Sequence, residues 1–150
     1  MIRICRSNSD NLDFRALVVL LDQYLSEVDG EEHSFYAQYN KLDKIQQVIV
    51  AYSDDIPVGC GAIKQYTVVT AEVKRMFVHP DYRRQGIAKL ILTELEHWAN
   101  ESGYLACVLE TGKKQSEAIS LYQRMGYLVI SNYGQYAGVD NSVCMKKQLS

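Results

Sequence analysis

The chain predicts an α/β fold, a mixed sheet with helices on both of its faces. Segments typical of strands are interspersed with segments whose apolar residues recur at the helical period. One nearly continuous apolar segment, residues 104–110, directly follows a predicted helix, which favours an interior strand parallel to the strand before that helix. The 150 residues, of which 47% are hydrophobic, are enough for one buried core, so we expect a single domain over residues 1–150.

The first half of the chain contains four predicted strands, which are residues 2–6, 47–52, 58–65 and 71–78. Between the first two strands, Ser9 or Asp10 can cap a helix that ends near Gly30. Residues 32–42 predict a second, shorter helix. The turn-forming segment SDDIP predicts a hairpin between the second and third strands. The fourth strand ends before Pro80, because a proline disfavours continuation of the strand.

The second half begins with a helix that carries a clear apolar stripe from Ile87 to Ala99 and stops at Gly103. After the apolar strand, residues 116–125 predict another helix, which Gly126 ends. The last predicted strands flank the loop NYGQYAGVDN, and they are residues 127–131 and 142–149. The chain therefore alternates strands and helices throughout, without repeats or low-complexity tracts.

An anion site is predicted within residues 71–90, where a strand leads through an arginine-rich loop into an amphipathic helix. The first N–H groups of a helix have no partner within the helix, and the helix dipole adds partial positive charge there. Arg83 and Arg84 add full charges, and Gly86 lets the main chain approach a ligand closely. The loop lacks the P-loop ending and the three spaced glycines of a dinucleotide fold. It therefore predicts a pyrophosphate site but indicates neither ATP nor NAD.

The same loop, residues 83–88, resembles the acetyl-coenzyme A signature Arg/Gln-x-x-Gly-x-Gly/Ala of the GNAT superfamily of N-acetyltransferases. The preceding EVKRMFVHP and the later AISLYQRMGY are similar to that family in order and spacing. The resemblance implies a mostly antiparallel sheet of six or seven strands, with a central parallel pair that splays apart and helices on both faces. It also implies an enzyme that transfers the acetyl group of acetyl-CoA to a primary amine by direct attack.

The resemblance implies two groups of coenzyme contacts. The main chain of Met76, Phe77 and Val78 would pair with the pantetheine arm like an added strand. The pyrophosphate would lie against the loop and the first helical turn, which are Arg83, Arg84, Gln85, Gly86, Ile87, Ala88 and Lys89. Gln115 stands where the family often has an asparagine that contacts pantetheine, and it keeps the amide group.

Tyr122 and Glu72 are the candidate catalytic residues. By resemblance Tyr122 would lie near the coenzyme sulfur, where a phenol with a reference pKa of about 10 can protonate a departing thiolate. Simple packing in the core is the alternative. Glu72 aligns with the glutamate that serves many relatives as general base, directly or through water. Its alternative is a solvent-facing strand residue paired with Lys74 or Arg75.

Recognition of the acceptor is expected from the irregular segments 29–40 and 132–141, which mix aromatic, amide and glycine residues. His33, Tyr36 and Tyr133 are the candidate contacts, and His33 could also accept a proton because it titrates near neutral pH. The alternative is that these tyrosines pack on the sheet. The acceptor stays open among an amino acid, a polyamine, a drug-like amine and a peptide terminus.

Several classes of protein are disfavoured by composition. A net charge of −2, from 16 basic and 18 acidic residues, argues against a general nucleic-acid binder. No apolar run approaches the length of a membrane span, so we expect a cytoplasmic protein. The four scattered cysteines predict buried free thiols, and no metal site is expected.

Three points stay open at this level. A domain that senses acetyl-CoA without turnover, acting through a protein partner, is the main alternative function. A phosphate-binding module of other chemistry is a weaker one. Edge strands near the C-terminus could pair two copies as a homodimer.

Overall fold

The computed structural model describes residues 1–30 and 44–150. Its strands are β1 (Ile2–Ser7), β2 (Gln47–Ser53), β3 (Ile56–Thr67), β4 (Thr70–Val78), β5 (Ala106–Gly112), β6 (Leu128–Ile130) and β7 (Ser142–Gln148). Its helices are α1 (Leu12–Asp29), α2 (Ile87–Glu101) and α3 (Ser116–Arg124), with short 3-10 turns at Pro80–Tyr82 and Gly134–Tyr136. The helix predicted over residues 32–42, and with it His33 and Tyr36, lies outside the described residues.

The described strands form one seven-stranded sheet in the order β1-β2-β3-β4-β5-β7-β6. Neighbouring strands are antiparallel except for the central pair of β4 and β5, which is parallel. A parallel pair needs a crossover connection, and α2 provides it. The predicted mixed sheet with one central parallel pair is confirmed. β6 lies at one edge of the sheet, so the homodimer stays a prediction with an edge strand available to it.

Helices cover both faces of the sheet, as expected, because alternate residues of each strand point to opposite faces. On one face α1 packs with Phe14, Leu17 and Val18 against a cluster that includes Val48 and Cys60. α2 and α3 cover the other face, and their buried residues pack against Ile49, Ile63, Ala71, Val73, Leu109 and Met145. Apart from the central opening described below, the sheet separates two apolar layers.

A β-bulge interrupts β4 at its centre. Cys60 pairs with Phe77 and Ala62 pairs with Lys74, so two residues of β4, Arg75 and Met76, lie opposite the single residue Gly61. Arg75 adopts the left-handed φ of 59°. Its side chain lies toward α1, where its Nη1 atom is 3.0 Å from Asp22 Oδ1.

Glycine opposite the bulge lets α2 lie close to the sheet. A Cβ at Gly61 would lie 2.5 Å from Met76 Sδ and 2.9 Å from Ile91 Cγ2. A Cβ at Gly59 would lie 3.0 Å from Ile91 Cδ1. The distances at Gly61 are shorter than real Cβ contacts and the distance at Gly59 is at that limit, so the two glycines of β3 let α2 lie close to the sheet.

The prediction that Ser9 or Asp10 caps α1 was wrong. The N-cap of α1 is Asn11, whose side chain accepts a hydrogen bond from the Phe14 N–H at 2.9 Å, whereas Asp10 is exposed. Ser9 is buried instead, and it exchanges two hydrogen bonds of 2.9 Å with the main chain of Ile45. Because Ser9 is bound to a residue distant in sequence, it is not available to cap the helix.

The parallel strand begins two residues later than predicted. After the left-handed Gly103, the Tyr104 N–H still donates to the Ala99 carbonyl at 3.0 Å. The Leu105 N–H donates to the Val69 carbonyl at 2.7 Å, which anchors the connection before β5 begins at Ala106.

All four cysteines are free. Cys60, Cys107 and Cys144 are buried, as predicted, whereas Cys5 is half-exposed on β1 at the edge of the sheet. None of the helices in the described ranges combines the length and the apolar character that crossing a membrane requires.

Candidate active site

The site is organised by the opening between β4 and β5. The two strands pair only over Thr70–Ala106, Ala71–Cys107 and Glu72–Val108, although β4 continues to Val78 and β5 to Gly112. Beyond Glu72 the facing edges therefore carry main-chain groups that do not pair with each other. This confirms the splay that the resemblance implied. Such an open edge can accept an extended chain as an added strand.

A cleft occupies this opening, with an empty volume of about 710 Å³ that is partly open to solvent. Residues of α1, β4, β5, α3 and the Gly134–Tyr136 turn line it, so it reaches both layers of the fold. Four residues predicted for the site from sequence are among them: Glu72, Met76, Gln115 and Tyr122. These residues come from β4 and from α3 with its N-cap, and all four line one cavity.

Glu72 is buried, with 5% of its surface exposed, so it is not a solvent-facing residue. The Tyr133 hydroxyl donates a hydrogen bond of 2.7 Å to Glu72 Oε2, and Lys74 Nζ lies 3.8 Å from Oε1. Burial, and after it the negative charge of Glu72, raises the pKa of Tyr133, so its hydroxyl stays protonated and acts as a donor. Two predicted site residues 61 positions apart thus meet directly.

The pKa of Lys74 is lowered, because burial disfavours its charged form more than the nearby Glu72 favours it. Lys74 lines the cleft beside Glu72, so an amine and a carboxylate lie side by side in its lining. Tyr133 itself packs among aromatic rings, 4.9 Å from the Tyr66 ring and 5.8 Å from the Tyr136 ring. It therefore both packs on the sheet and binds Glu72.

Tyr122 lies on α3 on the opposite face of the sheet, with 7% of its surface exposed. Its ring packs edge-on against Tyr127, with 5.8 Å between the ring centroids. Burial, with a smaller contribution from Glu110, raises the pKa of Tyr122, so the phenol stays protonated at any physiological pH. Because Tyr122 also lines the cleft, packing and a catalytic role are compatible.

The predicted anion loop ends at Gly86, which is the N-cap of α2 and has a left-handed φ of 78°. This helix end has no side-chain cap from the residues that the structure describes. The N–H groups of the first turn, from Ile87 to Lys89, have no acceptor within an α-helix. Among residues 1–30 and 44–150, no atom outside the residues adjacent to Gly86 lies within 4 Å of the position that a Gly86 Cβ would take. The helix end is therefore open to a ligand.

The side chains of this loop differ in their placement. Gln85 and Lys89 are exposed, Ala88 is half-buried, and Ile87 is buried in the core, so that Ile87 offers only its main chain. Arg84 is highly exposed and lies 3.7 Å from Glu117, a surface pair that contributes little to stability.

Arg83 points back toward the strand. Its Nε atom donates a hydrogen bond of 2.9 Å to the Val78 carbonyl, and its guanidinium lies over the rings of Tyr24 and Phe77 at 5.1 and 5.8 Å. Arg83 thus anchors the loop to the end of β4 and to α1. The side chains of Phe77 and Val78 are buried, so any ligand contact from them comes from the main chain.

The lining residues that did not emerge as site residues from the sequence include Lys74, Arg75, Glu110 and Tyr136. Alternation along β4 places Lys74 beside Glu72, and Tyr136 lies in the segment predicted for acceptor recognition. Arg75 depends on the bulge, which no sequence pattern indicated. Within residues 1–30 and 44–150, no group of three or more histidine, cysteine, aspartate or glutamate residues could hold a metal ion.

Comparison with known proteins agrees with this geometry. The family model described as "Acetyltransferase (GNAT) domain" matches residues 44–129, more than half of the chain. An IAA acetyltransferase of Azospirillum brasilense is 35% identical over 135 residues, which cover 89% of this chain and 88% of that protein. The uncharacterized N-acetyltransferase YsnE of Bacillus subtilis (strain 168) is 34% identical over 148 residues, covering 93% of this chain and 97% of YsnE.

Solved structures share the fold over the whole chain. One from Klebsiella pneumoniae subsp. pneumoniae MGH 78578, named provisionally as an acyl-CoA N-acyltransferase, has a TM-score of 0.84 at 28% identity and covers 100% of this chain and 99% of its own. The PaiA N-acetyltransferase of Thermoplasma acidophilum, solved with coenzyme A, has a TM-score of 0.72 at 20% identity and covers 99% of both chains. The chain therefore belongs to the GNAT family of acetyltransferases.

Proposed function

We propose that this acetyltransferase uses acetyl-CoA and acetylates the nitrogen of a small primary amine by direct attack. One observation carries the proposal. The buried pair of Glu72 and Tyr133 lies where β4 parts from β5, the unpaired edges of the two strands follow, and the loop after β4 leads to the open end of α2. A pyrophosphate at the start of α2 and a deprotonating carboxylate at Glu72 would then lie at opposite ends of the part of β4 that is splayed from β5.

The residues present fit acetyl-CoA. The first-turn N–H groups of α2 and the left-handed Gly86 suit its pyrophosphate. The main chain of Met76 to Val78 suits its pantetheine arm, and Gln115, at the N-cap of α3, lines the cleft with an amide. A Salmonella typhimurium structure of yncA with acetyl-CoA, at a TM-score of 0.71 and 17% identity, shares this fold. When bound, acetyl-CoA supplies an activated thioester whose acetyl group passes to the amine.

Glu72 acts as the general base, directly or through one water. An amine is mostly ammonium at neutral pH, so it needs to lose a proton before its nitrogen can attack. Glu72 is suited to this step because it is buried at the point where β4 and β5 part. The Tyr133 hydroxyl donates to only one of its oxygens, Oε2, and so orients the carboxylate.

Tyr122 donates the proton that the departing thiolate needs, or holds the thiol in position. Its raised pKa keeps a hydroxyl proton available, and it lies in the layer opposite Glu72. A base on one face of the sheet and an acid on the other can act on the two sides of the opening.

Direct attack is favoured over a covalent cysteine intermediate. Burial raises the pKa of Cys60 and Cys107 to about 12 and also raises the pKa of Cys144, so none of them offers a reactive thiolate. Cys5 lies on β1, three strands away from β4 in the sheet.

The test is twofold. Calorimetry should show binding of coenzyme A and no comparable binding of ATP. With acetyl-CoA and a panel of primary amines, free thiol should appear only in the presence of an accepted amine. Coenzyme binding without thiol release on any amine would instead support a sensor domain. Failure to bind coenzyme A would remove the proposal altogether.

A further inference from the structure

We propose that the amine acceptor carries a carboxylate, so that the substrate is an amino acid, and that Arg75 binds this carboxylate. The inference rests on the proposed function and names the substrate class of the same cleft. It depends on the placement of one guanidinium group, which lies toward α1 at the bulge in β4 and lines the cleft.

The buried guanidinium of Arg75 has N–H donors without an acceptor among the described residues. Its side chain is only 4% exposed and it lines the cleft. A guanidinium has five N–H donors. Asp22 Oδ2 accepts a hydrogen bond of 3.2 Å from Nη2, and Asp22 Oδ1 lies 3.0 Å from Nη1 without hydrogen-bond alignment. Neither Nε nor Nη1 has a hydrogen-bond partner within the described part of the chain.

Buried donors without acceptors are costly, so their presence beside a cleft points to a ligand that supplies the acceptor. A carboxylate is the best match, because its two oxygens fit the planar fork of a guanidinium. Asp22 does not fill this role completely. Its own side chain is 48% exposed, and it engages the guanidinium from α1.

The surroundings of Arg75 suit a molecule that carries both an ammonium and a carboxylate group. Glu72 lies three residues earlier on β4, about 10 Å along an extended strand and less across a bulge. Both side chains are long enough to reach the opposite ends of one small molecule between them. The ammonium would face Glu72, which deprotonates it, and the carboxylate would face Arg75.

A purely structural role for Arg75 is the competing explanation. In that case the residue only ties β4 to α1 through Asp22, and removing either partner has the same effect. Asp22→Asn is therefore the matched control. It breaks the ion pair yet leaves the guanidinium in place, with more donors available for a substrate.

The experiment measures kcat/KM for the standard amino acids and for their carboxamides, which keep the amine and lose the negative charge. The wild type should prefer an acid to its amide. Arg75→Gln should reduce this preference by about 10- to 100-fold, the usual scale for a hydrogen-bonded charge. Arg75→Lys should keep part of it, and Asp22→Asn should keep or increase it. Every replacement at Arg75 inherits the same left-handed φ, so thermal unfolding verifies each fold.

Binding gives a readout independent of turnover. Calorimetry on the complex with coenzyme A compares an N-acetyl amino acid with its amide. No preference for acids in the wild type would overturn the inference while leaving the acetyltransferase proposal intact if coenzyme A binds and amines release thiol. Equal loss of preference in Asp22→Asn and Arg75→Gln would overturn it in favour of the structural role. If the Arg75 variants do not fold, the preference of the wild type for acids over amides still tests whether the acceptor carries a carboxylate.

Discussion

Replacing Gly86 by glutamate is the sharpest test of the coenzyme site. In the described part of the chain a Cβ at Gly86 meets nothing within 4 Å, so we expect no steric overlap there, but the φ of 78° is left-handed. Holding another residue there costs about 1 to 2 kcal/mol. For a chain of this size, that lowers Tm by roughly 2 to 8 °C. The fold should therefore survive.

The affinity for coenzyme A should fall as well, by an amount that adds up over the phosphate charges. A carboxylate about 5 Å from one phosphate charge opposes binding by about 1 to 3 kcal/mol at a protein surface. This corresponds to a loss of about 5- to 150-fold in affinity for each such charge. Gly103→Glu is the matched control because Gly103 is also left-handed, with a φ of 94°, equally uncrowded, and at the other end of α2.

Isothermal calorimetry with coenzyme A, beside thermal unfolding of both variants, measures the two effects separately. The control should lose stability and keep its affinity. If Gly86→Glu binds coenzyme A as tightly as the wild type, or if both variants lose affinity equally, the helix end is not the pyrophosphate site.

Further expectations concern the acid, the base and alkaline stability. Tyr122→Phe should lower kcat by about 100-fold with little change in coenzyme affinity. An unchanged kcat in steady-state kinetics would indicate that the phenol only packs in the core. Glu72→Gln should lower kcat/KM at pH 7 by about 100-fold, with a rate that rises tenfold per pH unit as solvent deprotonates the amine; a pH profile parallel to that of the wild type would argue against a base. Burial raises the pKa of Tyr122, Tyr127, Tyr133 and Tyr136, so the folded state keeps protons that the unfolded chain loses near pH 10. Stability should therefore be complete below that pH and fall as pH rises above about 10; urea unfolding at pH 8 and pH 11 with equal free energies would contradict this.

Local patterns predicted most of the fold because they report on contacts within one element. Apolar periodicity predicted α2 and α3, and a left-handed glycine follows the end of each helix, Gly103 after α2 and Gly126 after α3. Where a residue is bound to a distant partner, the same reasoning was wrong. Ser9 looks like an N-cap, but Ile45 takes its hydrogen bonds, so Asn11 caps α1 instead.

The candidate site likewise has a part built from neighbouring residues and a part built from residues distant in sequence. Residues in a contiguous motif, such as Gly86 at the start of α2, could be predicted because one loop builds that part of the site. The contact between Tyr133 and Glu72 joins segments 61 residues apart, and composition indicated the segment but not the partner. Arg75 could not be placed at all, since its direction depends on which residue of β4 is unpaired against β3.

By itself, then, the order of residues determined the fold class, the parallel crossover through α2 and the loop whose N–H groups suit a pyrophosphate, because each depends on neighbours along the chain. Only the tertiary structure decided where β4 leaves β5, which side chains meet in that opening, and that the buried guanidinium of Arg75 has donors without an acceptor among the described residues. Those features depend on strand register and on the packing of α1 and α2 against the sheet. Both are set by distant residues acting together.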